Sequence, residues 1–358
     1  MRIFNNIDWL LLIPILLISF LSILILLSID ISLAKNQFIY LLIGLFLYFL
    51  LANIDYKIFK NLSLSFYIIS ILLLLVTLVL GRVTRGSVRW IKVGFLNFQS
   101  SEFVKPLFIL IFSFLASKFS FSKIKDIFLF FLYFLIPAFL IFKQPDLGNS
   151  LVLFAIWLGI ILAAGIKKTY FIGSLAAFLI LLPVFWHVLK PYQQQRIISF
   201  LNPQFDPLGS GYHLIQSMIT VGSGEFFGRG LGRGNQSQLQ FLPERHTDFI
   251  FASFAEEFGF LGSTILLFCY FVLLLKIILL AQRSQDLFGS LISIGIFSMI
   301  FFQLLVNIGM NLGLIPITGV TLPLFSSGGS SLVTTLISLG IIQNIAHYQQ
   351  RKEVIEIG

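Results

Sequence analysis

The stretch LPERHTDFIFA, residues 242–252, places Glu244, Arg245, His246 and Asp248 within five positions, directly before a long apolar run. A carboxylate in such a place can accept a proton from a hydroxyl as a general base. An arginine beside it offers a planar, always-charged fork suited to bidentate binding of phosphate or carboxylate oxygens. Asp248 also has a plainer use, because aspartate is a favoured helix N-cap. Glu256 and Glu257 follow about 12 Å along the same helix, at ~1.5 Å per residue. A buried bridge to another span, or a snorkelling pair, would account for them without chemistry. In SSEFVKP, Glu102 and Lys105 share a helix face, and in KQPDLGN Asp146 sits between Pro145 and Gly148. His246 and His213 are isolated histidines and make a weak metal set.

The elements that must carry these groups are membrane spans. Hydrophobic residues make up 58% of the 358 and charged ones only 11%, whereas a soluble domain keeps roughly 25% charged residues. A soluble enzyme is thereby excluded, and the chain reads as one all-α polytopic membrane domain over residues 1–358. The pattern predicts about ten spans, near 7–29, 38–54, 63–81, 101–117, 127–142, 149–166, 170–189, 249–280, 288–312 and 330–346. The first is too long for a signal-peptide core and lacks a small-residue cleavage site, so it reads as a retained span. Cys269 is the only cysteine, so no disulfide forms within the chain.

Alternate loops divide by charge. One side carries Lys57, Lys60, Lys118, Lys123, Lys125, Lys167, Lys168, Arg283, Arg351 and Lys352, while the short loops opposite carry Lys35 and Lys143. The positive-inside rule makes the lysine-rich side cytoplasmic, with both termini inside. Two long loops, 82–100 and 190–247, then fall outside, the second joining spans seven and eight. With the stretch that opened this section they hold Arg82, Arg85, Arg89, Arg196, Arg229, Arg233 and Arg245. Topology explains lysines inside but gives no reason for arginines outside; contact with anionic headgroups is the bland alternative to ligand binding. Glycines 222, 224, 228, 230, 232 and 234 mark a non-helical, ligand-facing loop, though their spacing fits no common phosphate loop. FSSGGSS, residues 325–331, reads as a non-helical entry to the last span.

Seven linked motifs resemble one family in order and spacing: GSVRWIKVG, SSEFVK, QPDLG, the stretch from RIISFLNP through DPLGSGYHLIQS to VGSG, FLPERHTDFIFA, NIGMNLGLIPITG and LPLFSSGGSS. That family is SEDS (shape, elongation, division and sporulation), and the resemblance runs over nearly the whole chain. It implies a ten-helix peptidoglycan glycosyltransferase that polymerises lipid II on the outer face of the bacterial cytoplasmic (inner) membrane. It also implies a class B penicillin-binding protein, a transpeptidase, as partner, beside other membrane proteins of the rod complex and membrane lipids; no nucleic-acid partner is expected. The family's essential acid falls on Asp248, and its other important polar positions on Glu102, Lys105 and Arg89. Arg196, Arg245, Asp146, Glu244, Glu256 and Glu257 join them as binding or supporting candidates. Arg245 within PERHTDF and the short tails resemble the rod-shape members more than the division members. Ser100, Asn149, Glu225 and Ser327 depart from the family's usual residues, all outside the acidic centre.

The implied reaction fits the residues. The leaving group is a pyrophosphate, stable as an anion, so one general base can suffice where glycosidases use two carboxylates. Arginine and lysine side chains, with a divalent cation (Mg²⁺ or Mn²⁺) as a candidate cofactor, would hold the departing charge. Two other classes stay open: a transporter that flips lipid II between leaflets, and a non-catalytic scaffold that recruits the transpeptidase. Transporters tend to bind at mid-bilayer and to carry internal repeats, whereas here the acids gather at the outer edge and no clear repeat is visible.

Overall fold

The computed structural model describes residues 7–84, 87–93, 96–173, 180, 186–187, 189–205 and 211–357. Long apolar runs become helices because, in hydrocarbon, every backbone donor and acceptor must be satisfied within its own segment. In chain order they are Trp9–Ile29 (α1), Ile31–Ala52 (α2), Ile58–Leu80 (α3), Ser100–Lys118 (α4), Ile124–Lys143 (α5) and Leu147–Ala163 (α6). Three shorter helices follow, Pro191–Leu201 (α7), Tyr212–Ser223 (α8) and Asn235–Gln238 (α9). Ile250–Arg283 (α10), Leu287–Asn311 (α11) and Gly329–Ile357 (α12) complete the chain. Among the described residues eight helices are long and apolar enough to cross a membrane, and the shorter Leu147–Ala163 is a ninth apolar segment. The expected span 170–189 falls largely outside the described residues. Span two starts earlier than expected, at Ile31, because the Asp30 carboxylate caps it by accepting from Ser32 N at 2.7 Å.

Burial ranks the helices. In α12 and α4, 89% and 72% of the apolar window is buried, against 22% in α3 and α5, so α12 and α4 form the centre. Large apolar side chains such as Phe46, Val79 and Phe268 point outward, while polar groups pair within, as where Tyr48 Oη donates to Gln343 at 2.9 Å. Helices α1 and α10 run antiparallel, tied at one end by Lys276 Nζ to Asp8 at 2.6 Å and at the other by Ser28 Oγ to Glu257 at 2.6 Å. The two ends of the bundle are thereby distinguished.

The all-α expectation needs one amendment. Loop 82–100 folds into an antiparallel sheet of Arg82–Thr84 (β1), Ser87–Val93 (β2) and Leu96–Gln99 (β3), in the order β1-β2-β3. Trp90 pairs with Gln99 and Val93 with Leu96. Valine, threonine, tryptophan and isoleucine favour strands, and two residues separate each strand pair, the spacing of a tight hairpin.

Helix α10 is broken. Gly259 takes φ 68° and ψ −164° inside it, and the backbone groups released there are taken by the segment around Glu225–Gly230. Phe260 N donates to Glu225 O at 2.9 Å and Leu261 N to Phe226 O at 3.1 Å. In return Arg229 N donates to Glu256 O at 2.9 Å and Gly230 N to Glu257 O at 3.0 Å. A Cβ on Gly224 would stand 1.9 Å from Ala255 O, and one on Gly228 would stand 2.2 Å from Glu257 O. The glycine-rich loop was expected to approach a ligand; its glycines at 224 and 228 instead let it seat against the backbone of α10. Glu225, one of the departures from the family pattern, has φ 50°, a left-handed position that explains why glycine is usual there.

This arrangement predicts the effect of Gly259→Ala, whose Cβ would lie 2.3 Å from Gly228 N at a left-handed φ. Left-handed strain of about 1–3 kcal/mol adds to that overlap, so the thermal midpoint in detergent should fall clearly. Gly222→Ala, with nothing within 4 Å of its Cβ, should leave the midpoint at or above the parent's. Equal midpoints for both variants would rule out the inserted loop.

Candidate active site at one end of the bundle

The turn carrying Asp248 is held carbonyl by carbonyl. Glu244 O accepts from Thr247 N at 3.1 Å and Phe249 N at 3.2 Å. Arg245 O accepts from Ser253 Oγ at 3.2 Å, His246 O from Ser327 N at 2.9 Å and Thr247 O from Ser326 Oγ at 2.8 Å. Asp248 O accepts from both Asn307 Nδ2 at 3.2 Å and Asn311 Nδ2 at 3.0 Å. Helix α10 begins at Ile250 with Phe249 in the N-cap position, so capping does not account for Asp248. Asp248 is half-buried, and its Oδ2 lies 3.6 Å from where a Cβ on Gly319 would stand.

Residues 317–320 form a strap between Asp248 and a second acidic centre. Arg196 Nη1 donates to Ile317 O at 3.2 Å. On the other side, a Cβ on Gly148 would meet Thr318 O and Val320 Cγ2, each at 3.0 Å. Gly148 follows Asp146, which is buried and caps α6 through Asn149 N at 3.3 Å. Asp146 Oδ2 also accepts from Gln99 Nε2 at 3.1 Å, Ser101 Oγ at 3.0 Å and Asn149 Nδ2 at 3.0 Å. Arg89 on β2 approaches the same carboxylate at 3.9 Å and donates to Pro145 O. One carboxylate therefore ties the sheet, α4 and α6 together, and Asn149, another departure from the family pattern, is one of its donors.

Next to Ser101, Glu102 begins a buried ion pair, with Lys105 Nζ 2.7 Å from Glu102 Oε2; Glu102 is 4% and Lys105 2% exposed. Glu244 and Arg196 flank His213 electrostatically, and the His213 ring stacks on Phe249 at 6.4 Å. Burial, aided by the positive Arg196, holds the His213 imidazole below its ordinary range, so it is neutral at pH 7. Arg196 is exposed on this wall.

Three candidates serve the scaffold instead of facing Asp248. Glu256 accepts from Gln236 N at 2.8 Å, from Ser237 N at 3.0 Å and from Ser237 Oγ, so it caps α9 from below. Glu257 accepts from Gln238 Nε2 at 3.2 Å as well as from Ser28. Arg245 donates to Ser237 O and, at 3.3 Å, to Gln238 O. The two glutamates and the arginine clamp α9; the buried bridge expected for Glu256 and Glu257 is real, but it binds a loop and the end of α1 through neutral donors. Arg85 lies outside the described residues. Arg229 pairs with Glu225 at 3.4 Å on an exposed surface.

Among the described residues no group of three or more His, Cys, Asp or Glu could hold a metal ion. Among the described residues no such set supplies the further ligands that a divalent cation at Asp248 would need. Asn307 and Asn311 hold the site without standing out as candidates in the sequence. The available signal was two asparagines one helical turn apart in an otherwise apolar span, where buried amides require partners.

Comparison with known proteins adds the lineage. The family model for cell cycle proteins of the FtsW, RodA and SpoVE type matches residues 3–351. Stage V sporulation protein E of Bacillus subtilis is 41% identical over 330 residues, covering 88% of this chain and 87% of the relative. Peptidoglycan glycosyltransferase MrdB of Escherichia coli K12 is 36% identical over 320 residues, covering 88% and 86%. A chain solved in a peptidoglycan synthase complex, described as coordinating polymerization and crosslinking, superposes with a TM-score of 0.84 at 33% identity, covering 96% of this chain and 98% of that one. The rod shape determining protein RodA of Thermus thermophilus superposes with a TM-score of 0.73 at 30% identity, covering 96% and 98%.

The Glu102–Lys105 pair gives a direct stability test. Removing one partner leaves an uncompensated buried charge, which typically costs about 3–5 kcal/mol. Glu102→Gln and Lys105→Met should each lower the thermal midpoint markedly, while the double variant recovers most of the loss. A double variant no better than the sum of the singles would show that the two side chains act independently.

Proposed function

Because the chain belongs to the FtsW, RodA and SpoVE family of cell cycle proteins and is a peptidoglycan glycosyltransferase of that family, we propose that it polymerises lipid II with Asp248 as general base. The acceptor sugar's 4-hydroxyl attacks the anomeric carbon of the lipid-linked strand, and Asp248 takes its proton. The bond from that carbon to the pyrophosphate breaks, and undecaprenyl pyrophosphate leaves with the electron pair. A leaving group this stable needs no acid opposite the base, so the half-buried Asp248 can act without a second, protonated carboxyl group. The observation that carries the reading is that rigid, half-buried carboxylate over Gly319, with the exposed Arg196 bonded to the same strap. Arg196 meets the departing charge, with Arg89 at Asp146 adding positive charge to the same end. The described residues do not make a protein-only metal site, so no step is given to a cation.

The acidic end is extracytoplasmic and both termini are cytoplasmic, in the bacterial inner membrane; the support is the lysine-rich loops at the opposite end. A class B penicillin-binding protein supplies crosslinking beside it, a reading supported by the likeness to a chain solved in a synthase complex. The role in the cell is elongation and rod shape, for which Arg245 within PERHTDF speaks. Division and sporulation relatives match comparably well and mark the alternative.

Purified protein with its transpeptidase partner and labelled lipid II, under moenomycin to silence contaminating polymerases, should yield glycan strands. Leaflet exchange in liposomes without strands would make it a flippase, and neither product would make it a scaffold. A general base contributes about 10²–10⁴-fold, so Asp248→Asn should lower polymerisation by that factor with an unchanged thermal midpoint; full activity in that variant would end the general-base assignment.

A further inference from the structure

Helix α11 is apolar, yet it buries Asn307 and Asn311 at 0% exposure on one face. Asparagine is a poor helix former, and a buried amide is tolerated only where its hydrogen bonds are met. These two are met by the wall that carries Asp248, by the 317–320 strap and by each other. Asn311 Oδ1 accepts from Ala252 N at 3.0 Å, one of the first-turn donors of α10 that no helical carbonyl can reach. Its two amide hydrogens go to Asp248 O at 3.0 Å and to Asn307 O at 2.7 Å. Asn307 Nδ2 donates to Val320 O at 2.8 Å and again to Asp248 O at 3.2 Å.

We propose that Asn307 and Asn311 are positioning residues of the glycosyl transfer, fixing the peptide plane of Asp248 and its separation from the 317–320 strap. The inference rests on the general-base role of Asp248. The other carbonyls of the turn are held within the turn, by α10, or by residues 326–327; that of Asp248 alone is held by α11. Val320 follows Gly319, over which the Asp248 carboxylate lies, so one pair of amides fixes the carboxylate's peptide and the strap beneath it together. Two donors on a single carbonyl leave that peptide little room to rotate, and rotation there would swing the carboxylate. Misplacing a reacting group by about 1 Å can lower a rate by about 10²-fold.

Asn311→Asp separates positioning from bulk structure. The carboxylate keeps an acceptor for Ala252 N, but when ionised it has no hydrogen for Asp248 or Asn307. When protonated it regains one donor. The expected result is a kcat about 10²-fold below the parent at alkaline pH with KM nearly unchanged, and a variant-to-parent ratio that climbs as pH falls. Asn307→Asp should behave alike. In an Asp248→Asn background, Asn311→Asp should lower the residual rate no further, since both changes act through one carboxylate. Amide hydrogen exchange supplies a readout that needs no glycan synthesis. Relative to the parent at the same pH, exchange across residues 245–252 should quicken in Asn311→Asp at alkaline pH and return toward the parent at acid pH.

A parent that makes no strands would end the polymerase reading, while the exchange comparison would still decide whether the asparagines hold Asp248. Unchanged exchange across 245–252 overturns the proposal. So does a parental kcat and pH profile, or a pH-independent loss that repeats in full in the Asp248→Asn background.

Discussion

A peptide carbonyl in apolar surroundings must find a donor, and at the acidic end of this bundle the chain leaves helical geometry where that demand is strict. The five carbonyls from Glu244 to Asp248 find donors in the turn, in α10, at residues 326–327 and in α11. The turn therefore cannot relax without breaking several of these bonds at once. Its rigidity, and with it the direction of the Asp248 carboxylate, follows from that network. The same demand organises the break at Gly259, where a loop from outside supplies the two donors and two acceptors that the helix gives up.

Two kinds of charge follow from this arrangement. Glu256 and Glu257 are buried among neutral donors and Asp146 among neutral donors and Arg89, so each joins separate elements, while Glu102 is buried against Lys105 of its own helix. Asp248 is different: half-buried, it presents its carboxylate across a glycine, with the exposed Arg196 on the same strap. Structural acids are enclosed, and the acid given a chemical role keeps access to the surface. That difference in burial, more than any difference in residue type, separates scaffold from reaction.

The pairing of an accessible carboxylate at Asp248 with exposed arginine suits transfer to a sugar hydroxyl from a pyrophosphate donor. Departure of a stable anion removes the need for a second, protonated carboxyl group, so the enclosed acids are at liberty to serve packing. The apolar exterior and the polar end are the two halves of a surface that an amphiphilic substrate would need. Sheet β1–β3 adds to this through Asp146: its strand residues Arg89 and Gln99 reach the carboxylate that caps α6.

Much of this was legible in the chain itself. The spans follow from hydropathy because the bilayer leaves the backbone no choice but helices, and the acids declare themselves because charge in such segments is rare. Asp248, Glu102, Lys105, Arg89 and Asp146 do gather at one end. What escaped were relations between distant segments. Nothing local to VGSGEFFGRG says that its glycines meet α10 and not a ligand; that depends on a break more than thirty residues away, at Gly259. Nothing within PERHTDF distinguishes an N-cap aspartate from a presented one, or shows that Arg245 turns toward α9. Hydrophobicity and charge act residue by residue and can be read in order along a chain, whereas hydrogen-bond partners are chosen by proximity, which only the packed bundle creates.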